Sequence, residues 1–291
     1  MRLRSLLFVP GDSERKFAKA SGSDADGLIF DLEDSVAPGK KAEARAMVAG
    51  WLDARSPAAP FAHWVRINPF ATGLALGDLA AVVRPGLDGI VLPKAEMAEV
   101  VRLGHCLDAL EARAGMAEGA VRIVVVSTET PAAVLNLAAY GAGHPRLAAL
   151  TWGAEDLSAE LGSLDNKDEA GAWLPVFAHA RSACLLAAAA AGVPALDTLH
   201  ADFRDAEGLA RGCRAARREG FAGRIAIHPD QIPVINEAFS PTPAEVAEAE
   251  RVVAAFAASP DVGTVGIDGK MYDIPHLRRA ERMLGEFTDR T

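Results

Sequence analysis

Eight short apolar, largely β-branched runs recur between Ser5 and Ile227, each followed by a longer Ala/Leu/Glu/Arg segment of helical period, and no other feature limits the fold so strongly. The runs lie near Ser5 to Val9, Gly27 to Leu32, His63 to Ile67, Gly89 to Leu92, Arg122 to Ser127, Leu147 to Trp152, Val193 to Thr198 and Arg224 to Ile227. Stretches such as GLIFDL and IVVVS are almost continuously apolar, as strands buried on both faces of a parallel sheet must be. Eight βα units predict an α/β fold, a (β/α)8 TIM barrel, with a doubly wound open sheet as the second topology. The carboxyl-terminal remainder has another pattern. Thr242-Pro243 opens a helix, Asp268-Gly269 is a hairpin turn between two short strand-like pieces, and Pro275 starts a last helix. The expected division is a barrel catalytic domain over 1–238 and a helical and hairpin appendage over 239–291.

Charge narrows the function classes. The 291 residues carry 39 acidic against 30 basic side chains, a net charge of −9, which excludes broad sequence-independent nucleic-acid binding because that requires a basic face. The opening MRLRSLLFVPGDSERK has too short an apolar run for a signal peptide or membrane anchor, so no membrane partner is expected. Cys106, Cys184 and Cys213 are isolated thiols with no C-x-x-C pair, which predicts inert buried cysteines, a cytoplasmic location and no structural zinc. The seven histidines form no H-x-x-x-H or H-E-x-x-H pattern, so a zinc site of that kind is also excluded.

What ends each run points to chemistry. The runs are followed by Pro10-Gly11, Asp31 to Asp34, Arg66 to Asn68, Pro93-Lys94, Glu129-Thr130, Glu155-Asp156, Asp197 to His200 and His228-Pro229. In a barrel these positions share one rim, where catalytic residues collect. Glu129 and Asp156 follow the fifth and sixth runs. Two carboxylates that close repel unless a cation intervenes, and an oxygen-ligated Mg²⁺ suits them, although Asp156 also has the position of a helix cap. Arg66 is suited to gripping a carboxylate by two hydrogen bonds, or alternatively to pairing with Asp31 or Glu33. Asp31, Glu33 and Asp34 need partners if all are ionised at one rim, and Asp31 reads as structural. Lys94 reads as an ion-pairing lysine in preference to a Schiff-base lysine. Gly11 before a helix bearing Arg15, Lys16 and Lys19 is a weak phosphate signal. No P-loop, G-x-G-x-x-G or nucleophile elbow is present.

The segments LLFVPGDSERKFAKA, GLIFDLEDSVAPGKKAEAR, VRIN, GIVLPKAE, ETP, WGAEDLSAELG, DTLHADFRD, GFAGRIAIHPDQI and GKMYDIPHLRRAERML together resemble the citrate lyase beta-subunit and malyl-CoA lyase branch of the HpcH/HpaI aldolase family. The resemblance runs through almost the whole chain in the family's order. It implies a (β/α)8 barrel, dependence on Mg²⁺, an acyl-CoA or acyl-carrier-protein thioester substrate, carbon–carbon lyase chemistry and assembly as a homotrimer or hexamer. It makes Glu129 and Asp156 the metal ligands and Arg66 the contact to the keto- or hydroxy-acid portion; Glu33 is a further candidate catalytic residue. Phe8, Arg15, Lys19, Ile227 and His228 fall at positions that hold the CoA portion. Asp273 matches an acid that relatives deliver into a neighbouring subunit's site. A helix N-terminal acid before Pro275 is the simpler role for Asp273. STETP and His200 depart from the family's usual residues without touching a proposed ligand, so the acyl group stays open.

Overall fold

The computed structural model describes residues 2–56 and 59–288. All eight runs are strands: β1 (Ser5–Pro10), β2 (Gly27–Asp31), β3 (Ala62–Arg66), β4 (Gly89–Leu92), β5 (Arg122–Val126), β6 (Leu147–Thr151), β7 (Ala195–Asp197) and β8 (Gly223–Ala226). They pair in sequence order, and β8 returns to β1 in parallel through Ser5 and Arg224, so the sheet closes into a barrel. The open doubly wound sheet is thereby excluded. Residues alternate along each strand between two apolar layers. Leu6, Ile29, Trp64, Val91, Val124 and Leu196 fill the interior, while Leu7, Phe30, Val65, Ile90 and Val125 face the surrounding helices. Trp64 is the largest interior side chain and needs a glycine opposite it. A Cβ on Gly89 would lie 2.1 Å from the indole.

Every strand but β4 differs from the sequence expectation by one or two residues at an end, and for two of these ends a backbone donor is engaged elsewhere. The seventh strand begins at Ala195 and not Val193, since the Val193 N–H closes the preceding helix on the Ala188 carbonyl and Pro194 has no N–H to give. The eighth stops at Ala226, because the Ile227 N–H donates to Gln231 Oε1 at 2.9 Å.

The helices of this part are α1 (Glu14–Ser21), α2 (Lys41–Asp53), α3 (Ala75–Val82), α4 (Met97–Arg113), α5 (Pro131–Leu135), α6 (Ala154–Leu161), α7 (Pro175–Ala191), α8 (Ala206–Glu219) and α9 (Ile232–Ala238). Cys184 and Cys213 are buried and all three thiols are free. Burial pushes the Cys184 thiol up to about 12, which makes it inert. No helix among the described residues is long and apolar enough to cross a membrane.

The chain divides into two compact units, 1–239 and 240–291. The second holds α10 (Pro243–Ala257), β9 (Thr264–Ile267), β10 (Lys270–Asp273) and α11 (Ile274–Thr288). Thr242 and Glu245 form a reciprocal cap at the start of α10. Asp268 and Gly269 both have positive φ, 52° and 76°, as a two-residue hairpin turn requires. The last helix starts at Ile274, with Pro275 in its first turn. Its core is built around Ala249, Val252, Phe256 and Ala280.

Candidate active site

Register places the first pair of charged groups. Asp31 and Arg66 are partners at the ends of β2 and β3, so the two side chains leave the barrel wall side by side. Arg66 donates from Nε to Asp31 Oδ1 and from Nη2 to Oδ2, both at 2.7 Å. Asp31 also accepts from the main chains of Glu33 and Ser35. Burial opposes ionisation of Asp31, but the Arg66 hydrogen bonds outweigh it and hold the carboxyl below its usual range. The remaining guanidinium nitrogen of Arg66, Nη1, lies 2.9 Å from Glu33 Oε2, and the guanidinium carbon sits 4.5 Å above the Phe8 ring. The pairing of Arg66 with Asp31 and Glu33 therefore holds, and the side chain also lines the barrel mouth.

Lys94 ties the next three strand ends together. It follows β4 in the left-handed region, φ 49°, a conformation that non-glycine residues adopt at some cost. Its N–H donates to Glu129 Oε2 at 2.6 Å. Its ammonium donates to Glu33 Oε1 at 2.7 Å and lies 3.0 Å from Asp156 Oδ1 and 3.4 Å from Asp34 Oδ2. Burial alone would favour a neutral amine, but hydrogen bonds to Glu33 and Asp156 prevail and raise the pKa. Lys94 is thus an ion-pairing lysine and unsuited to Schiff-base chemistry, which needs the neutral amine.

Glu129 is 2% exposed. It packs on Gly153, where a Cβ would lie 2.7 Å from Glu129 Cγ, so the carboxylate can take this place only beside a glycine. Burial, followed by repulsion from Asp156 and Glu33, raises its pKa well above the ordinary value. Burial likewise raises that of Glu33, against the pull of Arg66. Asp156 lies in the first turn of α6, but the cap position is Gly153 and carries no side-chain bond, so Asp156 does not cap the helix. Its carboxylate is turned to Lys94. The cavity at this mouth is lined by Phe8, Arg66, Glu129, Thr151, Trp152 and Asp156, among others.

These residues fit a hard divalent cation. Asp31, Glu33, Asp34, Glu129 and Asp156 outnumber the cations Arg66, Lys94 and Lys41, and the last donates to the carbonyls of Leu32 and Glu33. The buried Glu33 Oε2 is ion-paired with Arg66 Nη1 at 2.9 Å but has no partner in hydrogen-bond geometry among the described residues. No group of three or more His, Cys, Asp or Glu among the described residues is placed to hold a metal ion by itself. Two carboxylates with the remaining positions left to water and substrate oxygens is the donor set Mg²⁺ accepts and Zn²⁺ does not favour.

The residues expected to hold CoA come together in part. Arg15 and Lys19 sit one turn apart on the exposed side of α1, and Lys19 Nζ is 3.1 Å from His228 Nε2. Phe203 stacks on His228 with ring centroids 4.8 Å apart. Ile227 and His228 both donate their N–H groups to Gln231 Oε1. Phe8 lies instead at the mouth, under Arg66. Asp273 belongs to the second unit, where it contacts His276. Sequence reasoning missed the main-chain role of Lys94 and the need for Gly153. It also missed the anchoring of Trp152, whose Nε1 donates to Asp197 at 2.7 Å while Arg181 and Arg224 neutralise that acid.

A closed (β/α)8 barrel with its ionisable cluster at the carboxyl ends of the strands has the arrangement of barrel enzymes. The family described as HpcH/HpaI aldolase/citrate lyase matches residues 4–229, and the chain belongs to that family. It is 38% identical over 278 residues to the citrate lyase subunit beta-like protein of Mycobacterium tuberculosis, covering 96% of this chain and 93% of the relative. It is 37% identical to the (3S)-malyl-CoA thioesterase of Cereibacter sphaeroides, covering 97% and 94%. The crystal structure of the Mycobacterium tuberculosis protein CitE in complex with magnesium, acetoacetate and coenzyme A superposes with a TM-score of 0.77 at 36% identity, covering 97% of both chains.

Proposed function

We propose that the chain is a Mg²⁺-dependent carbon–carbon lyase of a 3-hydroxyacyl-CoA thioester of the malyl-, citramalyl- or citryl-CoA type. It releases a keto acid and acetyl-CoA or a related acyl-CoA, and runs the condensation in reverse. The observation that carries this reading is the mouth cluster, where Glu129 and Asp156 share a cavity with an Arg66 already oriented by Asp31. Glu129 and Asp156 would hold the metal, and Mg²⁺ bound there supplies Lewis-acid stabilisation of negative charge on the substrate. The similarity to a protein whose structure contains magnesium, acetoacetate and coenzyme A supports the same ligands here.

The chain's own residues do the rest. Arg66 has five N–H donors, spends two on Asp31 and turns Nη1 to Glu33, so the remaining N–H groups of Nη1 and Nη2 grip the substrate carboxylate in a fixed orientation. Glu33, whose proton affinity is raised by burial, takes the 3-hydroxyl proton as the adjacent C–C bond breaks into a keto acid and a thioester enolate. Asp273, protonated from solvent, gives its proton to the enolate carbon while Glu33 releases its own to solvent; in condensation Asp273 removes a proton from the acyl methyl. Arg15 and Lys19 offer positive charge to the CoA phosphates, beside Ile227 and His228, while Phe8 forms the floor under Arg66. The appendage carries Asp273 into a neighbouring subunit's mouth in a homotrimer or hexamer, and the enzyme is cytoplasmic. No step needs a covalent nucleophile.

Purified protein with Mg²⁺ and each of malyl-, citramalyl- and citryl-CoA is the direct test. Keto acid should appear from at least one, and cleavage of none would refute the reading. Similarity to a (3S)-malyl-CoA thioesterase supports hydrolysis as a following step, which free thiol released in parallel would reveal. Turnover only when the acyl group is carried by an acyl carrier protein would instead mark the chain as a citrate lyase beta subunit acting within a complex.

A further inference from the structure

In the second unit Asp273 ends β10 and directly precedes α11. Its Oδ1 accepts the main-chain N–H of His276 at 3.4 Å and meets the imidazole Nδ1 at closer range. Asp273 N–H also points to Nδ1, at 3.3 Å. With the carboxylate ionised, the nearer contact fixes Nδ1 as the protonated nitrogen, donating to Oδ1. Oδ2 has no hydrogen bond among the described residues. The imidazole is braced in turn. Tyr272 meets it edge to face, centroids 5.4 Å apart, and the Tyr272 hydroxyl donates to Glu248 of α10. Glu248 pairs with Arg251, and Arg251 with Asp268 in the hairpin turn. Both members of the Asp273–His276 pair are 37% exposed. A surface pair of that kind adds little stability, so the fixed geometry calls for another use.

We propose that His276 is a positioning residue for Asp273: its Nδ1–H holds Oδ1 and leaves Oδ2 as the oxygen that takes and returns the substrate proton. The inference rests on Asp273 acting as the acid–base group at the acyl carbon. In condensation the methyl C–H bond breaks, its proton goes to Oδ2 and its electron pair enters the enolate; cleavage reverses each transfer. The hydrogen bond from His276 holds the Asp273 carboxyl below its usual range, which keeps it ionised and ready to accept. Of the titratable side chains around the pair, Tyr272 on β10 meets His276 directly, and Glu248 and Arg251 on α10 and Asp268 in the turn are linked to it through Tyr272.

The test follows deuterium exchange from solvent into the acetyl-CoA methyl by the full-length Mg²⁺-loaded enzyme across pH, beside the thermal midpoint. His276→Ala should slow exchange about tenfold, move the acidic limb to higher pH, and leave the KM for acetyl-CoA and the midpoint unchanged. Asparagine presents an amide N–H near the position of Nδ1, so His276→Asn should restore rate and limb. A His276→Ala enzyme with the wild-type limb and rate would overturn the positioning role, provided Asp273→Asn abolishes exchange. Exchange that persists in Asp273→Asn would instead remove the acid–base reading on which the inference stands.

Discussion

At the amino ends of the barrel strands Glu111 is fully buried, and Arg146 meets it on both carboxylate oxygens at 2.7 and 2.6 Å, with the N–H groups of Gly119 and Val121 completing the set. Arg4 pairs with Asp26, and Arg55 with Asp88, at the same end. At the carboxyl ends Glu129 is equally buried, but its only hydrogen bond among the described residues is the N–H of Lys94, and Asp156 and Glu33 act against it. The two glutamates consequently shift in opposite directions. Burial opposes ionisation of both, yet Arg146 carries Glu111 below the ordinary range while Glu129 rises well above it. A fully matched acid holds the fold together, whereas the excess of acids over cations at the barrel mouth is a charge that a bound divalent cation would balance.

Neutralising each glutamate should separate these roles most strongly. Without Mg²⁺, Glu111→Gln should cost about 3–5 kcal/mol by leaving Arg146 buried without its main partner. Glu129→Gln should leave the thermal midpoint unchanged or raise it; equal losses at the two positions would erase the comparison. Arg66→Lys keeps the charge but loses the two-point bond to Asp31. It should lower kcat/KM about 100-fold, and full turnover by this variant would mean that the guanidinium geometry does no work. Gly153→Ala pushes a methyl against Glu129 Cγ and should weaken Mg²⁺ binding about tenfold, read by calorimetry, with little change in fold.

The smallest expected effect is in pH dependence. Because the folded pKa of Glu129 is raised, its ionisation costs stability, and that cost grows from the ordinary glutamate range upward until the folded pKa is passed. For Glu111 the folded pKa is lowered, so its contribution is present above the ordinary range and is lost as pH falls through the folded value. Metal-free wild type should therefore gain relative to Glu129→Gln as pH is lowered toward the ordinary glutamate range, and lose relative to Glu111→Gln only as pH falls further, below that range. Thermal midpoints across that range provide the check, and parallel curves for all three proteins would contradict it.

The barrel was legible because strands buried on both faces must be written in apolar residues, and each run ended where the chain met the polar rim. Pairing across strands was less legible. Asp31 and Arg66 stand 35 positions apart and meet only because β2 and β3 share a register. The ion-pairing role of Lys94 showed in its acidic surroundings, but its left-handed backbone did not, since nothing in VLPKA announces a positive φ at lysine. Gly153 looked like an ordinary residue before a helix; only the packing of Glu129 against it reveals why a side chain is excluded. Asp156 had the look of a cap because caps are a local pattern, while its contact with Lys94 is a tertiary one.

Titration of Mg²⁺ into the full-length protein by isothermal calorimetry, wild type beside Glu129→Gln, bears most directly on the claim that the carboxyl-end mouth is a cation site. The wild type should bind one Mg²⁺ per chain and Glu129→Gln should lose that heat. Equal binding by the two proteins, or none by the wild type, would contradict the assignment of the site.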